Sequence, residues 1–245
     1  MIRLDNYLVE YDLAQTRNKA QTMIKESFVS VNSKLILKPS FKVSDSDEVK
    51  VQEHKQYVSR AAFKLSNFLD EISQSHNETS FGVDLEGLCA LDIGSSTGGF
   101  TQVLLEYGVA EVTAVDVGRE QLHKNLKNDN RVYSFESCDI RNFQSDKKCD
   151  IVVSDVAFIS LLHILDDVHR LANDKIILLF KPQFEVGREA KRDSNGVVLD
   201  EKAIQKAMIK FEDACSLLGW KLMQKSPSKI TGKSGNLEYC YFYKI

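Results

Sequence analysis

Leu91-Asp92-Ile93-Gly94-Ser95-Ser96-Thr97-Gly98-Gly99-Phe100 is the stretch from which the fold is read. The apolar run Leu88–Leu91 in front of it predicts a strand, the small residues predict a turn, and a helix is expected from about Gly98. A strand that ends in an acid and hands over to a helix through glycines suits a ligand with polar and cationic groups. The glycines let backbone approach it, and the acid accepts from an amine or hydroxyl. Two phosphate-binding alternatives fail on detail. Ser96 stands where a dinucleotide fingerprint needs its second glycine, and no lysine follows Gly98-Gly99 as a P-loop requires. The later Gly232-Lys233-Ser234 has Pro227 in place of the first P-loop glycine.

The remaining D-x-G-x-x-x-G-G turn resembles motif I of class I S-adenosylmethionine-dependent methyltransferases. Around it, strands and helices are expected in alternation. A helix starts after Ser59 and carries Arg60, Phe63, Lys64 and Leu65; His76–Ser80 is a loop; a helix runs to Tyr107. Then come the strand Val112–Asp116, the helix Arg119–Lys127, the strands Val132–Phe135 and Ile151–Ser154, the helix Leu161–Ala172 and the strand Lys175–Lys181. A long helix, Asp200–Leu218, precedes two strands around Leu222 and Tyr239–Tyr243. This pattern predicts an α/β fold with a mainly parallel sheet covered on both faces, whose ligands gather beyond the carboxyl ends of the strands.

Four of those ends carry acids or polar residues that an apolar strand does not need. They are Asp92 with the turn Gly94, Ser95, Ser96, Thr97, Gly98, Gly99 and Phe100; Asp116 with Val117; Cys138, Asp139 and Ile140; and Ser154-Asp155. One acid after a strand commonly caps a helix, but four in succession mark a cofactor site. Asp116, about twenty residues beyond the turn, suits ribose hydroxyls, and Asp139 suits an adenine amino group.

Lys181-Pro182-Gln183-Phe184-Glu185 decides the chemistry. Lys181 ends the apolar run Ile176–Phe180, where a cation needs a partner, and Asp155 on the next strand end is the obvious one. A sulfonium methyl donor is already reactive, so an enzyme must mainly align the acceptor and help it lose a proton. Lys181 does this either as a base or by steering a lone pair. Amino-methyltransferases tend to place an Asn/Asp-Pro-Pro-Tyr/Phe turn after the fourth strand. Asp155-Val156-Ala157-Phe158 lacks the prolines, which points to oxygen as the acceptor.

Composition sets bounds. Hydrophobic residues at 43% and charged residues at 27% are ordinary globular values, and the net charge is −3. Residues 1–64 hold 11 Lys+Arg against 8 Asp+Glu, so a polyanion is expected to meet the amino-terminal end. The five cysteines form no C-x-x-C pair, and no metal site is expected. No apolar run is long enough to span a bilayer, and the protein is expected to be soluble and cytoplasmic.

Residues 1–52 read as a separate α+β module: helices Asp5–Tyr11 and Thr16–Glu26, then strand-like runs at Phe28–Val31, Leu35–Leu37 and Val49–Val51. Arg3-Leu4-Asp5, Gln15-Thr16-Arg17, Val29–Asn32, Lys38-Pro39-Ser40 and Asp47-Glu48-Val49 resemble the small RNA-binding domain named after a small-subunit ribosomal protein. Ser27 and Ser33 depart from it where glycines are usual. The resemblance implies that Arg3, Arg17, Lys19 and Lys25 face RNA phosphates. A polar linker, 53–58, would then lead to a methyltransferase domain at 59–245.

Tyr57–Leu65, Asp92–Phe100, Asp155–Ser160, Lys181–Gly187 and Ser234–Tyr239 together resemble the TlyA (hemolysin A) family of rRNA ribose 2′-O-methyltransferases, relatives of the FtsJ-type enzymes. Ala61-Ala62 departs from it where glycine is commoner. The resemblance implies a class I, Rossmann-like domain and S-adenosyl-L-methionine as cofactor. It implies methylation of a cytidine 2′-hydroxyl in rRNA of ribosomal subunits, the large subunit first, by a tetrad falling on Lys64, Asp155, Lys181 and Glu238. Arg60, Arg188, Lys191 and Arg192 are further expected RNA contacts, the last three on a polar loop, 187–196, expected to be mobile. Two other functions compete: a non-catalytic RNA-binding assembly factor, and a membrane-active hemolysin.

Overall fold

The structure, a computed structural model, describes residues 1–25, 28–44, 46–51, 57–75 and 83–245. Glu26, Ser27, most of the expected linker and the loop 76–80 lie outside them. The chain divides into two compact units, Met1–Gln56 and Tyr57–Ile245.

In the first unit, β1 (Ile2–Arg3) leads into α1 (Leu4–Glu10), followed by α2 (Arg17–Lys25), β2 (Val29–Val31), β3 (Lys34–Leu35), β4 (Lys42–Val43) and β5 (Val49–Val51). Leu4 and Leu8 on α1 and Ala20, Met23 and Ile24 on α2 sit at helical spacing, and together with Val29, Val31 and Val43 they form its core. β2 pairs antiparallel with β3 and β5, and β1 with β4. The β1–β4 pair was not foreseen. The strand expected over Leu35–Leu37 ends at Leu35, although the Ile36 N–H still donates to the Val29 carbonyl at 3.0 Å.

In the second unit, α3 (Ala61–Ser75) precedes β6 (Cys89–Ile93), α4 (Gly99–Glu106), β7 (Glu111–Val115), α5 (Lys124–Lys127), β8 (Val132–Phe135) and β9 (Cys149–Ser154). α6 (Leu165–Leu171), β10 (Ala172–Phe180), α7 (Pro182–Glu185), α8 (Glu201–Leu217), β11 (Lys221–Pro227) and β12 (Tyr239–Lys244) complete it. The seven strands lie in the order β11-β12-β10-β9-β6-β7-β8. β12 runs antiparallel to both neighbours, and the other pairs are parallel. Strands covered on both faces read as apolar runs, as Ile176–Phe180 and Ile151–Val153 do. One buried cluster holds Leu65, Phe68, Leu69 and Ile72 of α3 with Val103 and Leu104 of α4; another holds Val168, Leu171, Phe211 and Trp220. Full burial of each such side chain contributes about 1.5–3 kcal/mol.

Two expected helices are shorter than the sequence suggested. Arg119–Lys127 reduces to α5, because Glu120 has a positive φ of 55°, which an α-helix does not accommodate; the N–H groups of Gln121 (2.9 Å) and Leu122 (3.2 Å) go to the Glu136 carboxylate. Leu161–Ala172 splits into a 3₁₀ turn, Leu161–His163, capped by the Ser160 hydroxyl, and α6, while Ala172 opens β10. α8 keeps nearly its full expected span, with the Asp200 carboxylate accepting from the Ala203 N–H as N-cap.

Candidate active site

The carboxyl ends of β6, β7 and β9 surround a cavity of about 500 Å³. Phe100, Val115, Val117 and Ile140 give it apolar walls, and Asp116, Asp139 and Asp155 supply carboxylates. Of the thirteen residues expected to hold a cofactor, eleven line it: Gly94, Ser95, Ser96, Thr97, Gly99, Phe100, Asp116, Val117, Cys138, Asp139 and Ile140. Asp92 and Gly98 do not. Gly98 turns at φ 94°, where an added Cβ would run into Leu126 and Leu122, so it packs the turn against the start of α5.

Asp92 is fully buried. The Thr101 hydroxyl donates to its Oδ2 at 2.6 Å, while its Oδ1 has no partner among the described residues. Burial pushes this carboxyl up to about 7 against the opposing pull of the Thr101 hydrogen bond. Asp116 holds the turn in place, accepting from the Ser96 N–H at 2.8 Å and the Gly118 N–H at 2.6 Å. An ionised carboxylate has about four acceptor sites, so capacity remains for sugar hydroxyls. The Arg141 guanidinium grips Asp139 with contacts of 3.0 and 2.6 Å and holds its carboxyl below the usual range.

Strand register brings the expected tetrad together in two pairs. β10 and β12 pair to Phe180↔Tyr239, so Lys181 and Glu238 leave the sheet at the same end. The parallel β9–β10 pairing reaches Leu178↔Ser154, and Asp155 follows on the neighbouring strand. The Lys181 ammonium lies 2.5 Å from Asp155 Oδ1 and donates a hydrogen bond to the Asp155 carbonyl at 3.2 Å. The ion contact at Oδ1 lacks hydrogen-bond alignment, so the directed bond is the one to the carbonyl. Lys64, on the first turn of α3, meets Glu238 Oε2 at 2.7 Å. Side-chain exposure is 9% for Lys181, 12% for Asp155, 10% for Lys64 and 2% for Glu238. Pro182 occupies the first position of α7, which stops β10 and leaves Lys181 at the rim of the sheet. Asp155 also lines the cavity, so the pocket and the lysine share a wall.

The expected cationic residues behave unequally. Arg3 and Arg17 both pair with the fully buried Asp5, which also accepts from Gln21, and their side chains stay 35% and 55% exposed. Lys19, Lys25, Arg60, Arg188 and Lys191 are exposed, and Arg60 reaches the Thr231 carbonyl at 3.4 Å. Arg192 folds back onto the carbonyls of Gly187, Arg188 and Ala190 and so braces its own loop. The buried Asn236 ties that loop down, accepting from the Val198 N–H and donating to the Gly196 carbonyl. The loop expected to be mobile is thus heavily hydrogen-bonded.

Sequence alone did not single out Ser59, Gln121, Val156, Ile159 or Ile164 as cavity residues. Ser59 and the Ala62 backbone crowd Gly99, where an added Cβ would collide with both. Gln183 was also passed over, although its amide donates to Glu238 Oε1 at 3.2 Å. Among the described residues there is no cluster of three or more His, Cys, Asp or Glu able to hold a metal ion, and no helix is long and apolar enough to cross a membrane.

Comparison with known proteins matches residues 57–244 to the FtsJ-like methyltransferase family and residues 2–49 to the S4 domain. The 23S rRNA (cytidine-2′-O)-methyltransferase TlyA of Campylobacter jejuni is 42% identical, across 97% of this chain and 98% of its own length. The 16S/23S rRNA (cytidine-2′-O)-methyltransferase TlyA of Mycobacterium tuberculosis is 35% identical, across 97% of this chain and 87% of its own. The solved structure of a protein named as a hemolysin, from Streptococcus thermophilus, superposes with a TM-score of 0.71 at 32% identity, over 99% of this chain and 87% of that one.

Proposed function

Because the chain belongs to the FtsJ-like methyltransferase family, in the TlyA group that adds an S4 domain, we propose that it methylates the 2′-hydroxyl of a cytidine in ribosomal RNA. The methyl donor is S-adenosyl-L-methionine, the large-subunit rRNA is the principal substrate, and small-subunit rRNA is a second one to test. Residues 1–52 bind RNA, 53–58 link, and 59–245 carry out the transfer in the cytoplasm, where ribosomal subunits are made.

The observation that carries this proposal is the shared wall. Asp155 both lines the 500 Å³ cavity and pairs with Lys181. The cavity falls within the size range of small-ligand clefts, about 300–1,000 Å³. Its residues fit the cofactor by type: Asp116 would take the ribose hydroxyls, Asp139 the adenine amino group, and Phe100, Val117 and Ile140 the purine faces. When bound, the sulfonium supplies an electrophilic methyl group. Lys181 aligns the sugar hydroxyl and manages its proton, as a base or by steering a lone pair, while Asp155 fixes where the ammonium sits. The Lys64–Glu238 pair, at the end of the sheet from which Lys181 also leaves, keeps the site near neutrality. Arg3, Arg17, Lys19, Lys25, Arg60, Arg188 and Lys191 meet RNA phosphates, with Arg192 shaping the loop that presents its neighbours.

Mass mapping of rRNA from cells with and without the gene tests this. One or more 2′-O-methylcytidines should vanish with the gene and return with the wild-type chain but not with Lys181→Ala. Unchanged rRNA together with ribosome binding would favour a non-catalytic assembly factor. Lysis of protein-free vesicles by the purified chain would favour a membrane-active protein.

A further inference from the structure

Glu238 is the most deeply buried member of the tetrad, at 2% exposure, and both its carboxylate oxygens are engaged. Lys64 takes Oε2 and the Gln183 side-chain amide takes Oε1. Gly232 closes in on the same Oε1, since an added Cβ there would stand 2.5 Å from it. Gln183 sits two residues past Lys181 on α7, so it joins the end of β10 to the segment that leads into β12. Its amide orientation is fixed by chemistry, because only the NH₂ end can donate to a carboxylate. The other end, Oε1, is buried and has no donor among the described residues. A buried carbonyl left unpaired is costly. An apolar side chain of similar size would avoid that cost, so the amide earns its place through the bond that it gives Glu238.

We infer that Gln183 is a positioning residue for the transfer: it sets the Glu238 carboxylate, and through it the Lys64 ammonium, beside Lys181. This rests on the methyltransferase function proposed above. Gln183 has no assigned reacting atom, and the cavity lining does not include it. Its loss should therefore show in turnover and not in cofactor binding.

The test compares wild type, Gln183→Leu and Gln183→Glu in methyl transfer to ribosomal subunits, with S-adenosylhomocysteine affinity measured alongside by calorimetry. Gln183→Leu should lower kcat by about tenfold or more, as expected for removal of a hydrogen bond to a buried charge, and leave the calorimetric affinity within about twofold. Gln183→Glu should change the pH profile. Two facing carboxylates share a proton, so its activity should be lowest at alkaline pH and recover on acidification, a step absent from wild type. A merely structural role would lower both variants alike at every pH and would overturn the inference. So would wild-type kcat in Gln183→Leu. If wild type itself transfers no methyl group, the proposed function fails, and that failure is distinct from these.

Discussion

Replacing Lys64 by Met separates what the buried pair does for stability from what it does for transfer. The ammonium sits 2.7 Å from Glu238 Oε2, with 10% of the lysine side chain and 2% of the glutamate exposed. Removing one partner of a buried ion pair costs about 3–5 kcal/mol, because the other charge stays desolvated. Gln183 still donates to the stranded carboxylate, so the lower end, about 3 kcal/mol, is expected. At about 2–4 °C per kcal/mol for a domain of this size, Tm should drop by roughly 6–12 °C. The double variant Lys64→Met/Glu238→Leu removes both charges and should regain at least half of that loss, since apolar replacement of a whole buried pair is often neutral or better. Both of these variants, and Glu238→Leu alone, should be defective in methyl transfer. Scanning calorimetry at neutral pH, with labelled methyl transfer on the same preparations, gives both readouts. Single-variant Tm shifts of less than about 2 °C that simply add in the double variant would refute the buried-pair account.

Further outcomes follow from the same geometry. Asp92 is held protonated up to about 7 by burial, so the folded state keeps a proton that the unfolded chain releases from about pH 4 upward. Wild-type stability should therefore decline between about pH 4 and 7 and level off above, whereas Asp92→Asn should lack this slope, so that its stability relative to wild type rises by a few kcal/mol from about pH 4 to about pH 8; parallel pH–Tm curves would contradict it. Asp5 is held far below the usual carboxylate range, chiefly by Arg3. Its stabilisation is present above the unfolded carboxylate value and is lost on strong acidification. Asp5→Asn should destabilise the first unit by about 1.5–3 kcal/mol at neutral pH, read by hydrogen exchange at Leu4, Leu8 and Ile24. Gly94→Ala places a Cβ 3.1 Å from Val156 Cγ1 and 3.2 Å from its backbone at φ 79°. It should cost about 1 kcal/mol and weaken S-adenosylhomocysteine binding, with unaltered affinity as the adverse result.

The sheet and most of the cavity were legible in the sequence for a physical reason. Buried parallel strands are continuous apolar runs, and a polar residue at the end of one is costly unless used, so Asp116, Asp139, Asp155 and Lys181 stood out by position alone. Lys64 and Glu238 did not: a lysine on an amphipathic helix looks solvated until β12 is known to pair with β10 and carry Glu238 to its side. Resemblance supplied that pair, and register explains it. The helix expected from Arg119 failed because Glu120 takes a left-handed φ of 55°, which an α-helix does not accommodate. Asp92 read as a ligand contact, yet its place within the strand buries it with Thr101. Arg3 and Arg17 carried the charge of an RNA contact but not the shared partner Asp5, which depends on the packing of α1 against α2.

The most direct measurement is the position of the transferred carbon. Ribosomal subunits lacking the modification, incubated with the purified chain and methyl-labelled S-adenosylmethionine, should yield the label as 2′-O-methylcytidine after complete nuclease digestion. Lys181→Ala and Asp155→Ala should yield none while still binding S-adenosylhomocysteine. Label recovered on a base nitrogen or carbon, or full ribose methylation by Lys181→Ala, would contradict the account.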